Sequence, residues 1–325
     1  MAMLHLRVVC PDGCTDQVLE ALGDEDGARV ITRVESSSGT VVTADVARES
    51  ADPLIDRFRE LGVLEDGLVT LAPLDTAIGR IAQDAENAAP GESADALIWD
   101  DLAAHTGEDS LLTWTFGAFM VLATLLAGIA VVTDSTVTLV GAMVVGPEFG
   151  PLAALAVGLL THNARIARRA AIALVAGFAL ALVIAAGLAL LARAGGLFDA
   201  GDLSTHDETE FIYHPGWFSL ITALVAGAAG MLSLTSSKSA ALVGVFISVT
   251  TIPAAGNAAV AATVGDWHQS AESLLQLAIN LVGIVVAGVL TLALLERVQA
   301  RRSPGPTRRP GSLRAPHSFR RERGA

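Results

Sequence analysis

The stretch LVGAMVVGPEFGPLAALAVGLL, residues 139–160, is apolar enough to cross a bilayer, yet it holds Pro147, Glu148 and Pro151 near its middle. A proline removes a backbone donor and clashes with the preceding turn, so the spacing predicts two half-helices meeting near residues 146–151. Ten residues of helix reach about 15 Å against a hydrocarbon core of about 30 Å, so neither half crosses alone. Backbone groups freed at the break then lie at membrane depth and need partners there.

A second stretch, LVGVFISVTTIPAAGNAAVAATVG at 242–265, echoes the first. With Gly141 set against Gly244, Pro151 and Pro253 fall within one position of each other, and each stretch is the middle of three hydrophobic segments. The matching placement reads as an internal repeat with two broken helices. The bland alternative is that Gly and Pro are simply tolerated in membrane helices.

Composition separates two unlike parts. Residues 1–110 are acidic, and the net charge of −13 arises mainly there, which disfavours a nucleic-acid partner. Within them, the strand-like run at 3–10, a PDG turn, DQVLEALG, strands at 28–35 and 40–47, the helix SADPLIDRFRELG and a last strand near GLVTLAPL give the order βαββαβ. That order predicts a small α+β ferredoxin-like domain over 1–75, and its pattern resembles the small-molecule-sensing ACT-type modules. Oligomer contact is an equally simple role for it. Cys10 and Cys14 with His5 supply too few ligands for a metal site, and no cofactor is implied. The N-terminus MAMLHLRVVCPDG lacks the pattern of a signal peptide.

Residues 76–110 form an acidic linker with short amphipathic runs, where Leu97, Ile98 and Leu102 recur at helical spacing. A coupling arm between domains suits this acidity better than a membrane-surface helix. Residues 111–296 form the transmembrane domain, with spans expected near 112–132, 136–160, 166–192, 216–235, 239–264 and 271–295. The tail 297–325 is Arg-, Pro- and Gly-rich and is expected to be disordered.

Arg165, Arg168 and Arg169 in the loop 161–169 and the basic tail belong in the cytoplasm, whereas the loop 195–215 carries only acidic charges and faces outward. Six spans then put both termini inside a cell inner (plasma) membrane, and Lys238 agrees. Because each triplet holds an odd number of spans, the second enters from the opposite side, giving an α-helical polytopic protein of inverted 3+3 repeats.

Glu148 is the carboxylate placed well inside a span, and such a residue is a functional candidate because its charge is costly there. Capping of the second half-helix is the structural alternative. Gly146, Pro147, Gly150 and Pro151 form the break around it. Thr250, Thr251, Pro253, Gly256 and Asn257 form the second proline site, and Asn280 lies mid-way along the sixth span. These side chains offer hydroxyl and amide groups to a solute, or bind neighbouring helices together.

The segments GAMVVGPEFGP, ALVGVFISVTTIP and QLAINLVGI are similar to hallmark segments of a bacterial and archaeal hydrophobic membrane protein family, domain of unknown function 389. The resemblance runs through most of 111–296 and implies membership rather than an activity. The family's first motif usually has an apolar residue where this chain has Glu148, and its second has paired prolines where this chain has Pro253 and Ala254. The expected role is passage of a small solute or ion at a central site, regulated by the soluble domain, in a homo-oligomer within the lipid bilayer. The rival is a membrane-anchored sensor or scaffold. Within the spans the sequence carries no HExxH, paired carboxylates or Ser/His/Asp set, so no enzyme is expected.

Overall fold

A computed structural model describes residues 3–74 apart from 12, 37 and 38, then 77, 79–89, 102, 106, 111–199, 201, 216–235 and 241–302. For residues 30, 86, 87, 241–250 and 299–302 the description covers the backbone alone. Most of the linker, the greater part of the 195–215 loop, Lys238 and residues 303–325 lie outside it.

The N-terminal part runs β1 (Met3–Cys10), α1 (Thr15–Asp24), β2 (Ala28–Ser36), β3 (Gly39–Ala47), α2 (Arg48–Glu60), α3 (Val63–Asp66) and β4 (Leu68–Leu74). The antiparallel sheet has the order β2-β3-β1-β4, which is the connectivity of a ferredoxin-like unit. Alternation along β1 and β3 sends Leu6, Val8, Cys10, Val42, Ala44 and Val46 to one face, where Val18, Leu22, Leu54 and Phe58 from α1 and α2 cover them. Full burial of side chains such as Leu6, Leu22 and Phe58 contributes about 1.5–3 kcal/mol each. His5 stands on the opposite face and bonds Asp45, its direct cross-strand neighbour, at 2.9 Å. Strand alternation therefore keeps His5 away from Cys10, and no metal-ligating cluster of three exists among the described residues. A short helix, α4 (Arg80–Ala88), follows.

The apolar part comprises α5 (Trp114–Val132), α6 (Thr136–Val145), α7 (Phe149–Leu160), α8 (Ala164–Ala194), α9 (Trp217–Thr235), α10 (Ala241–Val264) and α11 (Trp267–Arg302). Thr113, Ser135 and Asn163 cap α5, α6 and α8 by accepting from the backbone amides of Phe116, Thr138 and Ile166 at 3.1, 3.3 and 3.3 Å. Four of these helices are long and apolar enough to cross a membrane, and the bent pair α6–α7 makes a fifth candidate. Their outward side chains are apolar, as at Val137, Val175 and Leu191. Trp114, Trp217 and Trp267 stand exposed at helix starts, where interfacial aromatics belong. The chain is a multi-pass membrane protein.

The first predicted break is present. Gly146 adopts φ −62°, ψ 124°, the extended backbone favoured before a proline, and α6 and α7 meet at 52°. Pro151 falls in the first turn of α7, where its missing amide hydrogen costs nothing. The second predicted break is absent. Helix α10 runs unbroken through Pro253, because one proline removes one helical hydrogen bond, whereas Gly146 and Pro147 turn the chain out of the helical region altogether. The described spans therefore contain one broken helix rather than two.

Helix α10 is the axis of this part. Every residue from Thr251 to Ala261 is buried, and α10 packs on α5, α6, α8, α9 and α11. Reciprocally to α10 on α8, α7 packs on α11. At the far end, Arg193 of α8 donates to the carbonyl of Thr263 in α10, and Phe198 packs with Val260 and Ala261. The ends of α8 and α10 thus lie together. Helix α11 continues to Arg302, beyond the boundary expected at 297, since Glu296 to Arg302 are compatible with helix until Ser303-Pro304.

Candidate functional site

The break brings Glu148 into the core. It is fully buried at the N-cap position of α7, yet its side chain makes no capping hydrogen bond. Instead, Oε1 accepts a hydrogen bond of 2.7 Å from the Thr251 hydroxyl of α10, 103 residues away and equally buried. The alternative of a capping carboxylate is therefore not what the geometry gives. Around the pair, Leu139, Leu152, Ile252, Ala254 and Ala255 belong to one apolar core.

The remaining expected residues divide by position. Gly146, Pro147 and Gly150 are partly buried at the break, and Pro151 and Pro253 are buried. The side chain of Thr250 lies outside the description. Gly256 faces α5 so closely that an added Cβ would stand 2.5 Å from Ala127 Cβ and 2.7 Å from the Gly128 nitrogen. Its smallness serves a helix crossing.

Asn257 turns away from Glu148 toward α11. Its Nδ2 donates to Ser273 at 2.7 Å and its Oδ1 accepts from Gln269 at 3.2 Å, while Ser270 donates to the Ala258 carbonyl at 2.9 Å. Asn280 is also buried and accepts a bond of 3.0 Å from Ser219 of α9, to which Gln276 donates at 3.2 Å. Gly216, Trp217, Ser219, Leu220, Gln276, Ile279 and Asn280 line a shallow cleft of about 200 Å³ between α9 and α11. The structure joins Glu148 to Thr251 and leaves Asn257 and Asn280 in two other polar contacts.

Gln269, Ser273, Gln276 and Ser219 were not among the expected site residues. A signal existed: 269, 273, 276 and 280 follow one another at steps of four, three and four, a polar stripe on one face of an otherwise apolar helix.

With that geometry in view, comparison with known proteins is direct. Residues 143–286 match the family model described as domain of unknown function (DUF389). The chain carries a DUF389 domain. The match begins just before the break and includes Glu148, Thr251, Asn257 and Asn280. A protein of Methanocaldococcus jannaschii, named only as uncharacterized, is 24% identical over 275 residues, covering 84% of this chain and 81% of that protein. No solved structure matches. The DUF389 segment thus holds the broken helix from its last turn of α6 onward, the whole of α10 and more than half of α11.

Proposed function

We propose that this DUF389 protein passes a small solute or ion across a cell inner (plasma) membrane, without enzymatic chemistry, at a central site formed by the α6–α7 break and α10. The observation that carries this reading is the Glu148–Thr251 contact, a fully buried carboxylate held beside interrupted backbone in a membrane part. Such a group is expensive in lipid and persists where it serves a pathway.

On this reading six spans form inverted 3+3 repeats with both termini cytoplasmic. Two packing relationships support it. Helix α7 lies on α11 as α10 lies on α8, the reciprocal exchange a twofold axis in the membrane plane would generate. The Arg193–Thr263 contact puts the end of α10 beside the end of α8, whereas α7 ends beside the start of α8. The two middle members then run in opposite directions. Burial of Leu102 among Ala153, Val157, Met231 and Leu292 supports a linker that couples the N-terminal unit, as regulator, to α7, α9 and α11. Assembly into a homo-oligomer belongs to the same reading.

The scaffold reading keeps one specific support, since Gly256 against Gly128 and Asn257 against Ser273 and Gln269 are the close crossings and polar contacts that hold helices together. Reconstitution separates the two. Proteoliposomes of the full chain should show ion or solute flux above protein-free vesicles, and Glu148→Gln should lower it. Equal flux from both proteins overturns the site, and no flux from the wild type favours the scaffold.

A further inference from the structure

One polar group away from the break takes no part in the proposed passage. In the cleft between α9 and α11, the Ser219 hydroxyl has a single proton, and it goes to Asn280 Oδ1. What Gln276 meets on Ser219 is therefore a lone pair, which fixes Nε2 as the amide atom that donates there. The carbonyl oxygen of the same amide is left over. Gln276 is 5% exposed, and its Oε1 is buried with no hydrogen-bond partner. A buried amide oxygen without a donor is costly, so an occupant of the cleft that donates a hydrogen bond stabilises it.

The cleft stands at one edge of the lipid. Helix α9 has 19 residues and is about 28 Å long, close to the thickness of a hydrocarbon core, so its first residues lie where that core meets the headgroups. Exposed Trp217, which lines the cleft, fits that level. Leu220 meets Gly283, Gly227 meets Ile284 and Met231 meets Gly288, so α9 and α11 run side by side in the same direction, from the cleft into the core. Both helices carry an exposed apolar stripe along that course. On α9 the stripe is Trp217, Ile221, Val225 and Leu232. On α11 it is Ile279, Val282, Val286 and Leu290. Trp217 and Ile279 line one cleft, so the two stripes start from it on the same side of the helix pair. A polar recess at headgroup level that continues into an apolar track matches the two-part shape of a lipid.

We propose that the cleft between α9 and α11 binds a membrane phospholipid whose headgroup carries a hydroxyl or ammonium donor. The donor gives its hydrogen bond to Gln276 Oε1, and an acyl chain lies along the two stripes. Glycerol and ethanolamine headgroups carry such donors; the quaternary ammonium of choline carries none. The site shares no residue with the Glu148–Thr251 contact and does not depend on whether a solute passes the break.

Native mass spectrometry of the detergent-solubilised full chain tests this, with phosphatidylglycerol, phosphatidylethanolamine and phosphatidylcholine of the same acyl chains supplied in equal amounts. The wild type should retain one of the first two roughly fivefold over phosphatidylcholine, about the worth of one hydrogen bond. Whichever is retained names the donor. Gln276→Leu removes the acceptor at similar volume and should abolish the preference. Ile279→Trp fills the cleft from its exposed side with Gln276 still in place and should do the same, so the result does not rest on a buried substitution alone. Equal retention of all three lipids by the wild type, or a preference that survives either substitution, overturns the proposal. Displacement of the retained lipid by free glycerol or ethanolamine would assign a soluble ligand and refute the lipid. Disulfide cross-linking in the native membrane between copies carrying Ile221→Cys, with Cys10 and Cys14 replaced by serine, would seat a second copy of the chain on the stripes and refute it too.

Discussion

Thr251 donates to Glu148 across 2.7 Å in a contact that joins the broken helix to the unbroken one, with neither residue open to solvent. Removing the hydroxyl while keeping the shape, as in Thr251→Val, leaves a buried carboxylate oxygen without that donor. The expected cost is about 1–3 kcal/mol, against a small change for Thr251→Ser. Thermal unfolding in detergent reads both, and equal midpoints for the two variants would dissociate the contact from stability.

Close helix approach makes a second prediction. At Gly256 an added methyl group meets the backbone and Cβ of α5 at 2.7 and 2.5 Å, so Gly256→Ala must push α5 and α10 apart. Overpacking of this kind costs about 1–3 kcal/mol. Gly141, with nothing within 4 Å of an added Cβ, is the internal control: Gly141→Ala should leave the melting temperature unchanged or raise it.

Asn257 offers a way to separate helix association from passage. Its two side-chain bonds to Ser273 and Gln269 tie α10 to α11, and bonds between membrane helices average about 0.6 kcal/mol each. Asn257→Ala should therefore lower stability by about 1 kcal/mol in a denaturant titration and leave flux per folded protein near wild type. A selective loss of flux at full stability would place Asn257 in the pathway.

In the N-terminal unit, burial pushes the Cys10 thiol above its ordinary value of 9.0, with the Thr15 side chain partly opposing this by hydrogen bonding. A raised thiol value means that the folded state binds the proton more tightly than the unfolded state. Stability is therefore complete below the unfolded value and falls as pH rises from it toward the folded one. Mass spectrometry after maleimide treatment at neutral pH should find Cys14, which is half-buried, modified before the buried Cys10. Rapid modification of Cys10 under those conditions would contradict its burial.

Much of the fold was legible because its signals are local. Alternation and turns give β1 to β4, and Gly146-Pro147 gives the break, since a residue before proline is driven extended by its own neighbour. What was not legible depends on how helices rotate against each other. Pro253 looked like Pro147 and Pro151 in sequence, yet a lone proline inside a helix clamped by five neighbours does not break it. Asn257 and Asn280 read as possible ligands until Ser273, Gln269 and Ser219 took their hydrogen bonds. Glu148 was found for its cost in lipid; its partner Thr251, more than a hundred residues away, was one of several hydroxyls that sequence could not rank.

The most direct measurement concerns the directions of the two middle members. His162 follows α7 and Asp266 follows α10, and both are exposed. Single cysteines at these positions, in a chain with Cys10 and Cys14 replaced by serine, can be labelled in sealed vesicles with a membrane-impermeant maleimide. Antiparallel repeats predict that 162 labels only from the cytoplasmic side and 266 only from the other; labelling of both from one side would contradict the arrangement on which the site depends.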